Sequence, residues 1–168
     1  MRITGFAAAF AVLLAGPMLL AQATTPARAP IPAPILSAHT IFLANGGADP
    51  VSAQAFQKAG QVNEPYASVY TALQSWGHWQ LVSSPDGADL ILTARFSAPV
   101  TGYEKGMPLT YAPQLDLTLA DGTSHTALWT LTQPVKGAFR KANWEKNYAD
   151  GVAGILAQLK ALTLPVAP

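Results

Sequence analysis

The sequence predicts an α+β fold, a two-layer α/β sandwich in which two amphipathic helices cover one face of a mixed, mostly antiparallel sheet of 4–5 strands. Two observations predict this class. Short segments that alternate apolar and polar residues lie between turn residues, and two longer segments place apolar residues at helical spacing. The element order β–α–β–β–β–β–α favours one parallel pair around the first helix and hairpins after it.

Residues 1–23 predict a secretory signal peptide. Arg2 gives the positive start, an uncharged apolar stretch follows, Gly16-Pro17 breaks it, and Ala21-Gln22-Ala23 provides the small residues of a cleavage site. An uncleaved membrane anchor is the alternative, because the uncharged stretch is long enough to span a bilayer. Gln22 stands where a bacterial lipoprotein signal carries its Cys, so no thioether lipid anchor is expected.

The remaining chain predicts one domain. Prolines at nearly every second position make 24–38 a Pro-rich disordered linker, 39–163 a single α/β domain and 164–168 a frayed tail. The whole chain has 168 residues with 10 Lys+Arg and 9 Asp+Glu, and cleavage after Ala23 leaves 9 of each sign. This neutral balance argues against a nucleic-acid binder, which carries a clustered basic surface.

The domain begins with a buried strand, Thr40–Ala44, that Asn45-Gly46-Gly47 is expected to end. Asn45-Gly46-Gly47 is then either a plain turn or a backbone anion site after the strand. Residues 48–62 are ambiguous; Asp49-Pro50 suits the start of a short helix, with Asp49 as its cap.

The first long helix is predicted from Asn63 to Gly77. Asn63 can cap it, Pro65 suits its first turn, and Gly77 ends it in a left-handed cap. Five apolar residues recur on one face, at i, i+3, i+4, i+7 and i+10: Tyr66, Val69, Tyr70, Leu73 and Trp76.

Four further strands are predicted at 79–82, 89–96, 114–119 and 125–133, with an irregular connection at 97–113. Asp121-Gly122 predicts a tight hairpin turn. The polar residues of the alternating strands leave one sheet face in water, where Arg95 and Asp116 can pair.

The last helix is predicted from Lys141 to Leu162. Its apolar stripe runs from Trp144 and Tyr148 to Leu162, with Gly151 and Gly154 beside it. These glycines either allow a close approach to the sheet or are simply tolerated in the helix.

Several short motifs resemble those of small bacterial envelope proteins. They are Trp76-Gly77, Leu81-Val82, Gly87 to Leu92 and Ala127 to Thr130, followed by the long last helix, within about 70–162. The resemblance is to secreted and lipoprotein accessory factors, including the lipopolysaccharide-assembly lipoprotein, the TolB amino-terminal domain in architecture, and uncharacterised secreted proteins of soil bacteria. It implies a non-enzymatic domain that binds or scaffolds other envelope components.

The sequence contains no local signature of catalysis. His39, His78 and His125 lack the spacing of a zinc site, and no Ser lies in a nucleophile motif. No cofactor or metal is therefore expected. A hydrolase whose site assembles from distant residues around His78 or His125 stays an alternative, as does a small-ligand module that uses the loops 45–64 and 97–113.

The strongest candidate for binding is a basic segment that carries aromatic residues. Cations and aromatics alternate there as anionic lipid headgroups or other anionic partners require, whereas a solvated helix start is the alternative. The candidate contacts are Lys136, Arg140, Lys141, Trp144 and Lys146.

The sequence thus predicts an exported protein, periplasmic or extracellular, without catalytic activity. Its expected role is to bind, or to assist the assembly of, another envelope component. An envelope protein or a glycolipid is the expected partner, with no nucleic acid and no stable transmembrane segment after signal cleavage. The sequence does not indicate an oligomeric state.

Overall fold

A computed structural model describes residues 29–52, 63–103 and 105–164. The predicted signal peptide, the first part of the linker and most of the ambiguous segment 48–62 lie outside the described residues. The chain divides into two units, Met1–Pro30 and Ile31–Pro168. The second unit contains the helices and strands α1 Ala33–Ser37, β1 Thr40–Ala48, α2 Glu64–Trp76, β2 Gln80–Val82, β3 Leu90–Ser97, β4 Val100–Gly102, β5 Thr110–Tyr111, β6 Gln114–Asp121, β7 Ala127–Pro134 and α3 Lys141–Thr163.

The main sheet has the strand order β2-β1-β3-β6-β7. β1 pairs in parallel with β2 and β3, and α2 is the crossover between β1 and β2. β3, β6 and β7 pair antiparallel, as do the short strands β4 and β5. Three of the five pairings are antiparallel when that of the separate β4-β5 sheet is counted, and two of four are antiparallel in the main sheet. The predicted class, an α+β fold with helices packed on a mixed sheet, is confirmed.

β1 is longer than predicted, because it continues through Asn45-Gly46-Gly47 to Ala48. A register shift between Asn45 and Ala48 marks a bulge against β3. A Cβ on Gly46 would lie 2.9 Å from the carbonyl oxygen of Ala94, and Gly47 has a φ of 68°. The glycines therefore permit a close, bulged strand pairing, and the prediction that they end the strand was wrong.

The turn after β1 starts a helix at Pro50, as Asp49-Pro50 predicted. The Asp49 carboxylate accepts hydrogen bonds of 2.9 Å from the backbone N–H groups of Val51 and Ser52, the geometry of a helix cap. Its second oxygen accepts the N–H of Ala98. Burial raises the pKa of Asp49, but these hydrogen bonds outweigh it and the net pKa is lowered. The rest of this helix lies outside the described residues.

α2 has the predicted bounds. Pro65 lies in its first turn, and Gly77 ends it with a φ of 66° while its N–H donates to the Leu73 carbonyl. Asn63 makes no side-chain cap; its amide oxygen instead accepts a hydrogen bond from the Asn45 side chain at 3.1 Å. Asn63 and Pro65 therefore predicted the start of the helix correctly, although the Asn63 side chain bonds to Asn45 and not to the helix backbone.

α3 packs closely on the sheet. Its buried stripe is Tyr148, Ile155, Leu159 and Leu162, as predicted. A Cβ on Gly151 would lie 2.8 Å from Val135 Cγ2, and one on Gly154 would lie 2.8 Å from the Gln133 side chain. Gly151 is therefore needed for the close approach of α3, because Val135 is buried. The flexible end of the Gln133 side chain can move away from a Cβ at position 154, so Gly154 is tolerated in the helix.

α1 lies within the segment that was expected to be a disordered linker. Ile35 is only 1% exposed and Ala38 is also buried, both in the same core as the sheet. Pro32 precedes the helix and Pro34 lies within its first turn, where proline is compatible with helical backbone. The folded unit therefore starts at Ile31, earlier than the predicted residue 39, because this proline-rich segment also carries an apolar anchor.

The sheet face away from α2 and α3 is polar at one end. Arg95 and Asp116 are directly opposite in register, as the predicted pairing required. Asp116 instead accepts hydrogen bonds from Ser97 Oγ at 2.7 Å and Thr132 Oγ1 at 2.8 Å, and the described ion pairs do not include Arg95. Short hydroxyl side chains reach the carboxylate across the strands, which leaves the guanidinium in water.

Asp89 joins the amino ends of β1 and β3. Its Oδ2 accepts hydrogen bonds from the N–H groups of His39 and Thr40, both at 2.8 Å, and from the Thr40 hydroxyl at 3.0 Å. These bonds, with the His39 N–H first among them, lower the pKa of Asp89 below its usual 3.8. The carboxylate therefore stabilises the fold only while it is ionised.

We expect Asp89→Asn to lower the free energy of unfolding by about 1 kcal/mol near neutral pH, a modest loss because the site is exposed. Since the folded pKa is lowered, this stabilisation is complete above about pH 4 and is lost as the pH falls through the folded value. Urea unfolding at a series of pH values measures this stabilisation, with Asp86→Asn, in the turn before Asp89, as the control. A difference that persists undiminished at low pH would contradict the assignment.

Candidate binding surface

The cationic segment, residues 136–146, leads from β7 into the first turns of α3. Among the described residues, Lys136 and Arg140 make no ion pair. Lys141 Nζ lies 3.6 Å from Glu145, and Lys146 Nζ lies 2.9 Å from Asp150. Such exposed pairs at i and i+4 contribute only about 0.3–0.5 kcal/mol, so both lysines can exchange partners.

Trp144 makes its described ring contacts with two aromatic residues of the core. Its ring centroid lies 5.9 Å from that of Phe96 and 6.3 Å from that of Tyr148. Its place in the apolar stripe of α3 packs part of the indole against the core, and its role as a direct anion contact stays a prediction. Phe139, the other aromatic residue among the cations of this segment, is fully exposed.

Phe139 borders a recess of about 380 Å³ at the amino end of α3. Arg140 and Lys146 line the recess together with Asn143 and Asn147, and its described lining includes no carboxylate. The first turn of α3 also has no acidic residue, so its N–H groups add positive potential. The structure thus brings Arg140, Lys146 and an exposed aromatic ring around one opening, with Lys136 shortly before it.

A second surface was not predicted from the sequence. The apolar arm, residues 98–103 and 105–112, contains β4 and β5 and was expected to be only an irregular connection. Five of its large apolar side chains are exposed, with Tyr103 at 77% and Met107 at 62%; the others are Val100, Leu109 and Tyr111. Large apolar residues in a segment without strand or helix periodicity were the available signal. Several large exposed apolar side chains in one short segment make it a candidate interaction surface.

The apolar arm and the cationic segment start side by side. β3 ends at Ser97 and β6 starts at Gln114, so the arm joins two neighbouring strands. β7 ends at Pro134, which pairs with Gln114, and the next N–H, that of Val135, donates to the Pro113 carbonyl at 2.8 Å. The end of the sheet at which β3 and β7 finish, here named the joint edge, therefore carries both exposed apolar side chains and cations that make no ion pair within the described residues.

The three histidines include those on which the hydrolase alternative depends. The His78 ring stacks on Trp76 with 4.7 Å between centroids, and His39 lies at the amino end of β1. His125 has a φ of 57° in the loop after β6, where Asp121 accepts hydrogen bonds from its own turn. Within the described residues, no histidine side chain is hydrogen-bonded to an acid or a hydroxyl, the arrangement that the hydrolase alternative requires.

The described ranges hold neither a cluster of metal ligands nor a membrane-spanning helix. In these ranges, no group of three or more His, Asp or Glu side chains is placed to hold a metal ion. No helix there combines the length and the apolar character needed to cross a bilayer. Asn45-Gly46-Gly47, for which a backbone anion site was the alternative to a plain turn, is part of the β1 bulge, where the Gly47 N–H already donates to the Asn45 side chain at 2.9 Å.

No protein-family model and no curated protein sequence matches this chain. Several solved structures are similar to it. A DUF4136 family protein from Bacteroides thetaiotaomicron has a TM-score of 0.49 at 12% identity, over 78% of this chain and 92% of that one. The PelC dodecamer from Paraburkholderia phytofirmans has a TM-score of 0.42 at 13% identity, over 77% and 91%. A lipoprotein from Neisseria meningitidis has a TM-score of 0.40 at 11% identity, over 73% and 99%.

The similar structures include bacterial lipoproteins. The particular resemblance to the lipopolysaccharide-assembly lipoprotein and to the TolB amino-terminal domain stays an expectation.

Proposed function

We propose that this chain is an exported, non-catalytic protein that binds an anionic lipid or glycolipid surface of the bacterial envelope. The observation that carries the proposal is the joint edge of the sheet, where the apolar arm adjoins the cationic segment. Apolar side chains such as Tyr103 and Met107 enter the headgroup boundary of a lipid surface, while Lys136 and Arg140 contact its phosphates. The predicted signal peptide supplies the route to the envelope.

The low overall charge of the chain fits this mode of binding. Only 11% of its residues are charged, so long-range attraction is weak and contact depends on the local edge. Each Lys or Arg near an anionic surface contributes about 1 kcal/mol, and the apolar side chains add to this on insertion. The same protein can then assist the assembly of other components at that surface.

The test is sedimentation of the purified protein with vesicles of phosphatidylcholine alone or mixed with phosphatidylglycerol. We expect binding to the anionic vesicles and weaker binding as salt is added. The double variant Lys136→Gln with Arg140→Gln should bind at least about tenfold more weakly. Tyr103→Ser with Met107→Ser should also lose binding, because the apolar insertion is removed.

Two variants serve as matched controls. Leu36→Ser changes an apolar side chain that is 53% exposed on α1. α1 precedes the amino end of β1, at the opposite end of the strand from the arm, which follows the carboxyl end of the parallel strand β3. Lys160→Gln removes a cation from the last turn of α3. Both should bind vesicles like the wild type. If the wild type ignores anionic vesicles, or if the controls lose as much binding as the edge variants, the lipid proposal is wrong and an envelope protein becomes the better partner.

A further inference from the structure

The interhelical groove is a separate opening between α2 and α3. The two helices run in the same direction, since Lys160 near the end of α3 lies 5.6 Å from the ring of Trp76 at the end of α2. Their later turns pack tightly through Leu73 and Leu156, with almost no space between them. Their first turns separate and leave a groove of about 430 Å³, which is within the roughly 300–1,000 Å³ of small-molecule sites.

Small side chains keep the groove open. Ala67 on α2 and Ala149 on α3 both line it, and neither fills the space that a longer apolar residue would occupy. Trp144 and Val152 provide apolar wall, and the Trp144 ring is fixed by its contact with Phe96. The groove is therefore a preformed cavity with apolar walls beside the helix backbones.

The polar groups on the α2 wall have already used their donors. Ser68 Oγ donates to Glu64 at 2.9 Å, and Thr71 Oγ1 donates to the carbonyl of Ala67 at 3.0 Å. On the α3 wall, burial raises the pKa of the Tyr148 phenol, so it stays neutral. What the α2 wall still presents to a ligand is mainly acceptor capacity, on hydroxyl and carboxylate oxygens.

The charges at the groove are negative. Glu64 and Glu145 both line it, and its described lining includes no Lys, Arg or His. Lys141 approaches Glu145 only to 3.6 Å, and both side chains are more than half exposed, so a ligand can displace this contact. The positive amino ends of α2 and α3 lie nearby and oppose a cation, which makes the two carboxylates necessary for binding.

We propose that the interhelical groove binds a small primary alkylammonium ligand. The ammonium group donates to Glu64, with Glu145 as the second carboxylate, and the alkyl chain lies against Trp144 and the two alanines. Three N–H donors of an ammonium match a wall of acceptors, whereas an anion or an acceptor-only ligand finds no donor on α2. This site is independent of the lipid-binding edge.

The experiment titrates the purified protein with hexylammonium, hexanol and hexanoate and follows the amide and indole signals by nuclear magnetic resonance. We expect saturable shifts at α2, α3 and Trp144 with hexylammonium, weaker binding of hexanol and none of hexanoate. Glu64→Gln should weaken hexylammonium binding about tenfold, the effect of one charge-assisted hydrogen bond.

Two further variants make the outcome decisive. Ala67→Leu fills the groove without changing charge and should abolish the shifts. Asp150→Asn removes a carboxylate from α3 that does not line the groove, and should bind like the wild type. Equal affinity for hexanol, unchanged binding in Glu64→Gln or Ala67→Leu, or shifts confined to other parts of the protein would each overturn the proposal. None of these results bears on vesicle binding.

Discussion

Gly122→Ala should destabilise the fold by about 3 kcal/mol or more, although it adds a single methyl group. A Cβ at this position would lie 1.8 Å from the carbonyl oxygen of Ala88 and 2.8 Å from its carbonyl carbon. These are backbone atoms, so no side-chain rotation can relieve the contact. The Gly122 N–H also donates to the Asp89 carbonyl at 2.9 Å, so separating the two chain segments would break that bond.

Gly137→Ala is the matched control, because a Cβ there meets no atom within 4 Å. Its effect on the free energy of unfolding should stay within about 0.5 kcal/mol. Urea unfolding followed by tryptophan fluorescence measures both variants against the wild type. A small effect of Gly122→Ala, similar to that of Gly137→Ala, would mean that the loop after β6 does not press against the start of β3.

The two variants also show what the turn sequence did and did not predict. Asp121-Gly122 located the reversal between β6 and β7, but for a different reason than the one assigned. Gly122 is needed for a close backbone approach, and the positive φ of this loop falls on His125. Asp121 holds the loop by accepting from the Ser124 N–H at 2.7 Å. The residue types of a turn can be read from the sequence, whereas the strand against which the turn packs is known only from the tertiary structure.

Elements with strong periodicity were predictable for the same physical reason. The stripe of α3 and the alternation of Leu115, Leu117 and Leu119 repeat at the spacing of their backbone, and all three leucines are at most 1% exposed. α1 has only five residues and one buried anchor, Ile35, so no period identifies it among prolines. The bulge of β1 was likewise hidden, because glycines break strands in most contexts and here they permit close pairing.

The candidate surface was only partly predictable. Charge and aromatic content marked the cationic segment, and the structure places Arg140 and Lys146 around one recess. The arm carried only a weak signal, large apolar residues without periodicity, because Tyr103 and Met107 also look like core residues in sequence. The interhelical groove depends on the spacing of two helices that are far apart in the chain, which no local pattern encodes.

Phe96→Ala is the second large effect, with an expected loss of about 3–5 kcal/mol. Phe96 is 1% exposed at the end of β3, and its ring centroid lies 5.9 Å from those of both Trp144 and Tyr148. Truncation would leave a cavity between the sheet and α3, since the close contact of Gly151 with Val135 already limits how far the helix can move inward. The expected result is a lower urea midpoint with a nearly unchanged slope.

A double-mutant cycle with Trp144→Ala tests whether the indole belongs to the core or to the binding edge. The edge-to-face geometry, with 86° between the rings, predicts a coupling of about 0.5–1.5 kcal/mol between Phe96 and Trp144. Phe139→Ala, two residues after Gly137 and fully exposed, should leave stability unchanged and weaken only vesicle binding. If Trp144→Ala instead left stability and coupling near zero while binding fell, the indole would be a direct partner contact. We expect the first result, in which Trp144 holds α3 to the sheet. The exposed cations and Phe139 before it then extend from a helix whose position is fixed.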